Sequence, residues 1–276
     1  MALRAASLAA LVALGGVVSP SPSPAKTRIV ALVPSLAEDL FAIGAGPQVV
    51  GVSAYSRDFP GAGKVPVVAD FSSVDNEKIV TLHPDVVLGI PAQARLVEPL
   101  KTAGVNVVLV KDDGYTDIFT DLTVAGNLSG HAREAAALIA QLSHETAKIQ
   151  EKTRSFKRRP SVFVALGTGP IWTVGAQSYI AKLIELAGGR NAADDLSAAY
   201  GQYSAEALLR AQPDAIVTDP AVHLDAVLDR EPWRSLHAVQ AHHVFTVDPA
   251  AILERPGPRY NEGLLWLVER LTPLAT

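Results

Sequence analysis

The chain has 276 residues, 49% of them hydrophobic and 19% charged, which is the composition of a globular protein with enough apolar side chain for two modest domains. A net charge of −4 offers no field to attract a nucleic-acid backbone, and the short basic run Arg154–Arg159 reads as the solvated C-terminal end of a helix. The sequence contains no cysteine, which excludes a disulfide, a thiolate metal site, a cysteine nucleophile and a lipid attached through a thiol.

At the N-terminus, Arg4 is followed by the apolar stretch Ala5–Val18 and then by SPSPSPAKT, the three-part pattern of a secretory signal peptide. The apolar stretch has about 14 residues, short of the about 20 that span a bilayer. Small residues at Ser23 and Ala25 put the cut after Ala25, so residues 1–25 form the leader and Lys26 the new N-terminus. Export without an anchoring cysteine predicts a soluble periplasmic protein, taken to be a monomer.

From Thr27 the chain alternates short β-branched runs with helix patterns. Strand RIVALV, helix SLAEDLFAIGA and strand VVGVSA precede a Pro/Gly loop to KVPVV. DNEKIVTLHPDVV, helix ARLVEPLKTAG and strand VNVVLV follow. Such βα alternation predicts a mostly parallel sheet covered on both faces. Residues 131–159 then form a long run of helix formers without Pro or Gly, with Ala135, Leu138, Ile139, Leu142 and Ile149 at near-helical spacing. A helix of about 27 residues is about 40 Å long, enough to span the backs of two lobes. After it the order repeats: strand SVFVAL, a Gly-rich turn, helix SYIAKLIELAGG, SAEALLRAQPDAIV, helix HLDAVLDREPW and strand HHVFTVD. The expected architecture is α/β, with two Rossmann-like lobes (26–130 and 160–276), a backbone helix (131–159) between them and a ligand cleft.

The repeat is sharpest in one unit. Glu77 precedes Pro84-Asp85 by seven positions, and Glu206 precedes Pro213-Asp214 by the same seven. In each copy an Asp or Ser two residues before the Glu caps the helix, and Pro-Asp ends the unit ahead of a buried strand.

Taken together, RIVALVPSLAEDLFAIGA, VVGVSAYS, NEKIVTLHPDVVL, IWTVG, AGGRN, YSAEALLRAQPDAIV and ERPGPR resemble the iron-siderophore and vitamin B12 class of periplasmic substrate-binding proteins, the class with a helical backbone between its lobes. The resemblance runs from Thr27 nearly to the C-terminus. It implies a protein that is not an enzyme, capturing a bulky ligand between lobes and delivering it to the permease dimer of an ABC importer. It also implies that Glu77 and Glu206 dock onto arginines of the two permease subunits, each taking a bidentate charge-assisted bond. Carried over residue by residue, Tyr55, Phe71, Trp172, Tyr200 and Arg255 line the pocket. Aromatic faces suit a corrin ring, and Tyr hydroxyls and Arg suit its peripheral amides, so cobalamin is the expected cargo.

A ferric siderophore is the alternative cargo. A catecholate would need converging cations, for which Arg57, Arg95 and Arg255 are candidates, and Ile90 stands where the B12 pattern can offer another aromatic. Haem carriers of the class often present Tyr-Pro in the loop after VGV, where this chain has Phe59-Pro60. The seven histidines show no ligand spacing, so no metal or cofactor site is expected. PSLAE reads as a capping box of Ser35 and Glu38, without a nucleophile elbow. An exported α/β enzyme using the same cleft is the competing class, and it would need a nucleophile, a base and oxyanion donors in mutual reach.

Overall fold

The structure is a computed structural model that describes residues 27–70, 72–111 and 114–276. The leader expected at 1–25, Lys26 and Phe71 lie outside the described residues. The first half runs β1 (Ile29–Ala31), α1 (Pro34–Ala42), β2 (Val49–Ser53), β3 (Val67–Ala69), α2 (Asn76–Thr81), β4 (Val86–Gly89), α3 (Glu98–Thr102), β5 (Val107–Leu109) and α4 (Asp117–Ser129). α5 (Ala132–Thr153) follows. The second half runs β6 (Ser161–Ala165), β7 (Gly167–Thr168), β8 (Ile171–Val174), α6 (Tyr179–Leu186), β9 (Arg190–Asn191), β10 (Tyr200–Gln202), α7 (Ala205–Ala211) and β11 (Ala215–Thr218). It closes with α8 (His237–Gln240), β12 (Val244–Thr246), α9 (Ala251–Glu254) and α10 (Tyr260–Leu271).

The first sheet has the order β3-β2-β1-β4-β5 and is parallel throughout. The second, β12-β11-β6-β9, is also parallel and repeats its centre, with β6 in the place of β1 and β11 in that of β4. Central strands such as Ile29–Ala31 and Ser161–Ala165 are buried at every position, as strands with helices on both faces must be.

The repeated Pro-Asp explains itself in these sheets. His83 and Gln212, the residues before the prolines, both take left-handed backbone angles (φ 46° and 39°), ending α2 and α7. Each aspartate carboxylate then accepts the backbone N–H that opens the neighbouring strand: Arg28 N–H to Asp85 at 2.6 Å and Ser161 N–H to Asp214 at 2.7 Å. The Pro-Asp half of the repeat therefore pins each helix–strand unit to the first strand of its own sheet.

Three sequence expectations are corrected. The backbone helix ends at Thr153 rather than Arg159, about 33 Å long at 1.5 Å per residue. Beyond it the basic run turns back to the second sheet: Arg158 pairs with Asp214 at 2.9 Å and Arg159 donates to the Gly189 carbonyl at 2.7 Å. The Gly-rich turn after β6 is instead a hairpin, β7–β8, joined antiparallel by β10 into a three-stranded sheet. The helix expected over 223–233 is two short 3-10 turns, Leu224–Val227 and Trp233–Ser235, with the left-handed His223 (φ 49°) at the start of the segment and Pro232, which has no N–H to donate, near its end.

α5 buries Ala135, Leu142, Thr146 and Ile149 and packs on α4 on one side and α10 on the other. A Cβ on Gly126 would lie 2.6 Å from that of Ala135, so α4 approaches α5 as closely as it does only because that residue is glycine. α10 is fastened by buried polar bonds, with Thr146 Oγ1 2.7 Å from the Tyr260 hydroxyl and Asn261 Nδ2 donating to the Leu142 carbonyl at 2.9 Å. The largest buried apolar cluster contains residues of both sheets, Ile29 and Leu88 among them with Val162 and Val217.

Candidate functional site

Parallel sheets deliver their loops at the C-terminal ends of the strands, and these loops from the two sheets line one cavity of about 710 Å³. Val33–Ser35 after β1 and Ala54, Tyr55, Arg57 and Asp58 after β2 form one wall. Asp219–Ala221 after β11, Asp248–Ala251 after β12, and Glu254–Pro256 at the end of α9 form the other. Tyr55 and Arg255, both expected at the site, are in this lining.

The Tyr55 ring is 48% exposed. The Arg255 side chain is only 12% exposed, and its guanidinium is engaged. It donates to Glu38 at 3.1 Å, to both Asp58 oxygens at 3.2 and 3.0 Å, and to the Tyr55 carbonyl at 3.2 Å, while it lies 5.9 Å over the Phe59 ring. Arg259, four residues on, pairs with the other Glu38 oxygen. Glu38 does not form a capping box. α1 starts on Pro34 with Val33 as its cap residue, and the Glu38 carboxylate, 6% exposed, faces the two arginines.

Trp172 and Tyr200 are not in the cavity lining. They stand on the small antiparallel sheet, where Trp172 pairs with Gln202 and Val174 with Tyr200. The period of two puts both aromatics on one face, as diagonal neighbours, 40% and 41% exposed. Burial, and after it the field of Tyr200, raises the pKa of the Tyr179 hydroxyl well above its ordinary value; Glu38 contributes more weakly.

The charge of the cavity is uneven. Asp219, Asp248 and Glu254 face it from the second half, and Arg57 from the first. Arg57 is exposed and has no ion-pair partner among the described residues. Arg95 is exposed elsewhere, just beyond the 3-10 turn Pro91–Gln93. Burial, followed by the charge of Asp219 and a hydrogen bond with it, pushes the Glu254 carboxyl up to about 7. Asp219 itself accepts the Ala221 N–H at 2.6 Å. Phe59, at the Tyr position of haem carriers, is buried edge-on against Phe41 with ring centroids 5.4 Å apart. Among the described residues no group of three or more His, Asp or Glu side chains is placed to hold a metal.

Glu77 and Glu206 are not in the cavity lining; they stand in the first turns of α2 and α7, whose cap residues Asp75 and Ser204 accept from Lys78 N–H at 3.0 Å and Ala207 N–H at 3.1 Å. Both glutamates are exposed and make no hydrogen bond or ion pair to another described residue. The sequence reading did not find Glu38, Asp58, Asp219, Glu254 or Arg259 as site residues. ERPGPR holds Glu254 and Arg259 and RIVALVPSLAEDLFAIGA holds Glu38, so these three lay in segments that carried the resemblance, while Asp58 and Asp219 had no signal.

Among the described residues no helix is long and apolar enough to cross a membrane. A relative in Bacillus subtilis, described as an uncharacterized ABC transporter substrate-binding lipoprotein, YvrC, is 33% identical over 89% of this chain and 80% of its own. Its lipoprotein character conflicts with the unanchored protein expected here, although this sequence has no cysteine to carry such a lipid. A cobalamin-binding protein of Halobacterium salinarum is 34% identical over 86% of this chain and 67% of its own. Among solved structures, the periplasmic vitamin B12 binding protein of Vibrio cholerae superposes with a TM-score of 0.79 at 26% identity, covering 90% of this chain and 97% of that one. A possible iron-binding periplasmic protein of Staphylococcus epidermidis gives 0.77 at 26% identity, over 89% and 98%. The sequence profile of the periplasmic binding protein family matches residues 29–251, and the chain belongs to that family.

Proposed function

We propose that the protein is the substrate-binding component of an ABC importer that captures cobalamin or a related corrinoid in the cavity between its lobes, 26–130 and 160–276. The observation that carries this reading is aromatic exposure. Tyr55 on the cavity wall, and Trp172 and Tyr200 on the small antiparallel sheet, leave 40% or more of their surface to solvent, while the other aromatics among the described residues are at least partly buried. Such faces are wasteful in water and suited to a large flat ring. The charge balance points the same way. Arg255 and Arg259 are already neutralised by Glu38 and Asp58, so the cavity presents carboxylates that accept from amide N–H groups and one unpaired cation, Arg57. A polyanionic ferric catecholate would meet repulsion from the second wall.

Delivery would use Glu77 and Glu206 against permease arginines, in a periplasm, after removal of the leader. A binding role, with no catalysis, fits relatives described as binding proteins. Trp172 supplies the test. Titration with cyanocobalamin should quench its fluorescence saturably, and a Trp172→Phe variant should lose the larger part of that signal, because, of the other two tryptophans, Trp233 is buried and Trp266 is half-buried under Arg270. No quenching by cobalamin together with saturable binding of a ferric siderophore would replace the cargo while keeping the architecture.

A further inference from the structure

The residues beneath the cavity form a four-member ion-pair cluster that joins the two halves of the chain across 197 to 221 residues of sequence. Glu38 on α1 and Asp58 after β2 belong to the first half, and Arg255 and Arg259 to the second. Its charges sum to zero. Both Glu38 oxygens are occupied, one by each arginine, and the carboxylate is almost fully withdrawn from solvent. A buried carboxylate of this kind is tolerable only while its partners are present, because separating them leaves an uncompensated charge in a poor solvent. Opening the lobes would do that separation, since the carboxylates belong to the first half of the chain and the arginines to the second.

Arg255 carries a second contact. Its Nη2 holds the Tyr55 carbonyl at 3.2 Å, gripping the main chain of a residue that lines the cavity and is half exposed. For Arg255 to reach a ligand instead, it would have to give up acceptors on Glu38, Asp58 and Tyr55.

We propose that Glu38 is the hub of an interlobe clamp, with Asp58, Arg255 and Arg259, that limits how far the cavity opens before cargo arrives. In it Arg255 is a positioning residue for Tyr55 and makes no direct contact with the ligand. The inference rests on the cavity being the cargo site, but its main test needs no cargo.

The absence of native cysteines allows spin labels to be placed without background. Labels on Val80→Cys in α2 and Arg210→Cys in α7, both exposed, report lobe separation by pulsed dipolar spectroscopy. The clamp requires one narrow distance distribution in the otherwise unaltered chain. In Glu38→Gln and in Arg255→Ala the distribution should broaden to longer distances, and saturating cyanocobalamin should narrow it again. Affinity should fall about tenfold in both and about threefold in Asp58→Asn, whose carboxylate is 44% exposed. If Glu38→Gln does not fold, Asp58→Asn, which loosens one arm only, carries the test. Narrow distributions in every variant would overturn the clamp, and a large affinity loss in Arg255→Ala with an unchanged distribution would make Arg255 a direct ligand contact. If no variant and no parent binds cobalamin, the cargo assignment fails while the distances still decide the clamp.

Discussion

The repeated unit divides its labour, and Asp214→Ala against Glu206→Ala makes the division measurable. Asp214 accepts from the Ser161 N–H at 2.7 Å, from the Ser161 hydroxyl at 3.0 Å and from Arg158 at 2.9 Å. Ser161 is 1% exposed, so truncation leaves its N–H buried without that acceptor. One charge-assisted hydrogen bond contributes about 1.5–3 kcal/mol and an orphaned buried donor costs about 1–3, so Asp214→Ala should destabilise by about 3 kcal/mol. Asp85→Ala, at an exposed site with one such bond, should cost about half as much. Glu206→Ala removes an exposed side chain with no partner among the described residues and should stay within about 0.5 kcal/mol. Urea unfolding followed by circular dichroism gives the three values, and vesicle uptake assays with the cognate permease give transport. Uptake should survive Asp214→Ala once folded and be lost in Glu77→Ala/Glu206→Ala while cargo binding persists. Destabilisation by Glu206→Ala as large as that by Asp214→Ala, or undiminished uptake by the double variant, would refute the division. The fold-stabilising bonds also set a pH sign. Hydrogen bonds from Ser161 and Arg158 outweigh burial and hold the Asp214 carboxyl below its ordinary value, so its contribution is present above that value and is lost as pH falls through the lower one.

Glu254 carries the opposite sign. Its carboxyl titrates near 7 in the folded chain against 4.5 ordinarily, so the stability it contributes is complete below pH 4.5 and disappears as pH rises to about 7. Glu254→Gln should remove that slope from a plot of unfolding midpoint against pH, and a slope that persists would assign it elsewhere. Trp172→Ala and Tyr200→Ala should each weaken cobalamin binding about tenfold, about 1.4 kcal/mol, without shifting the unfolding midpoint, because both rings are exposed in the free protein. Unchanged affinity in both would place the ligand against the Tyr55 wall alone.

The α/β alternation was legible because its strands are buried on both faces and its helices carry one apolar stripe, so each element announces itself locally. α4 and α10 were not read. The segment DIFTDLTVAGNLS mixes β-branched residues with a glycine, which makes it a poor helix by propensity, and its helix rests on packing against α1 and α5. The β7–β8 hairpin hid behind its glycines and very short strands. Tyr55, Trp172 and Tyr200 were singled out by resemblance, and the structure divides them between a cavity wall and a neighbouring sheet. The pairing that makes the clamp had no sequence signature, since Glu38 meets Arg255 across 217 residues and its spacing from Ser35 imitates a helix cap.

The most direct test of the cargo is calorimetric titration of residues 26–276 with cyanocobalamin, then with a ferric hydroxamate and a ferric catecholate. Saturable one-to-one heat with cobalamin at submicromolar affinity, and none with the catecholate, is the expected result. Silence with cobalamin and saturable heat with a ferric chelate would contradict it and make Arg57 the first residue to mutate.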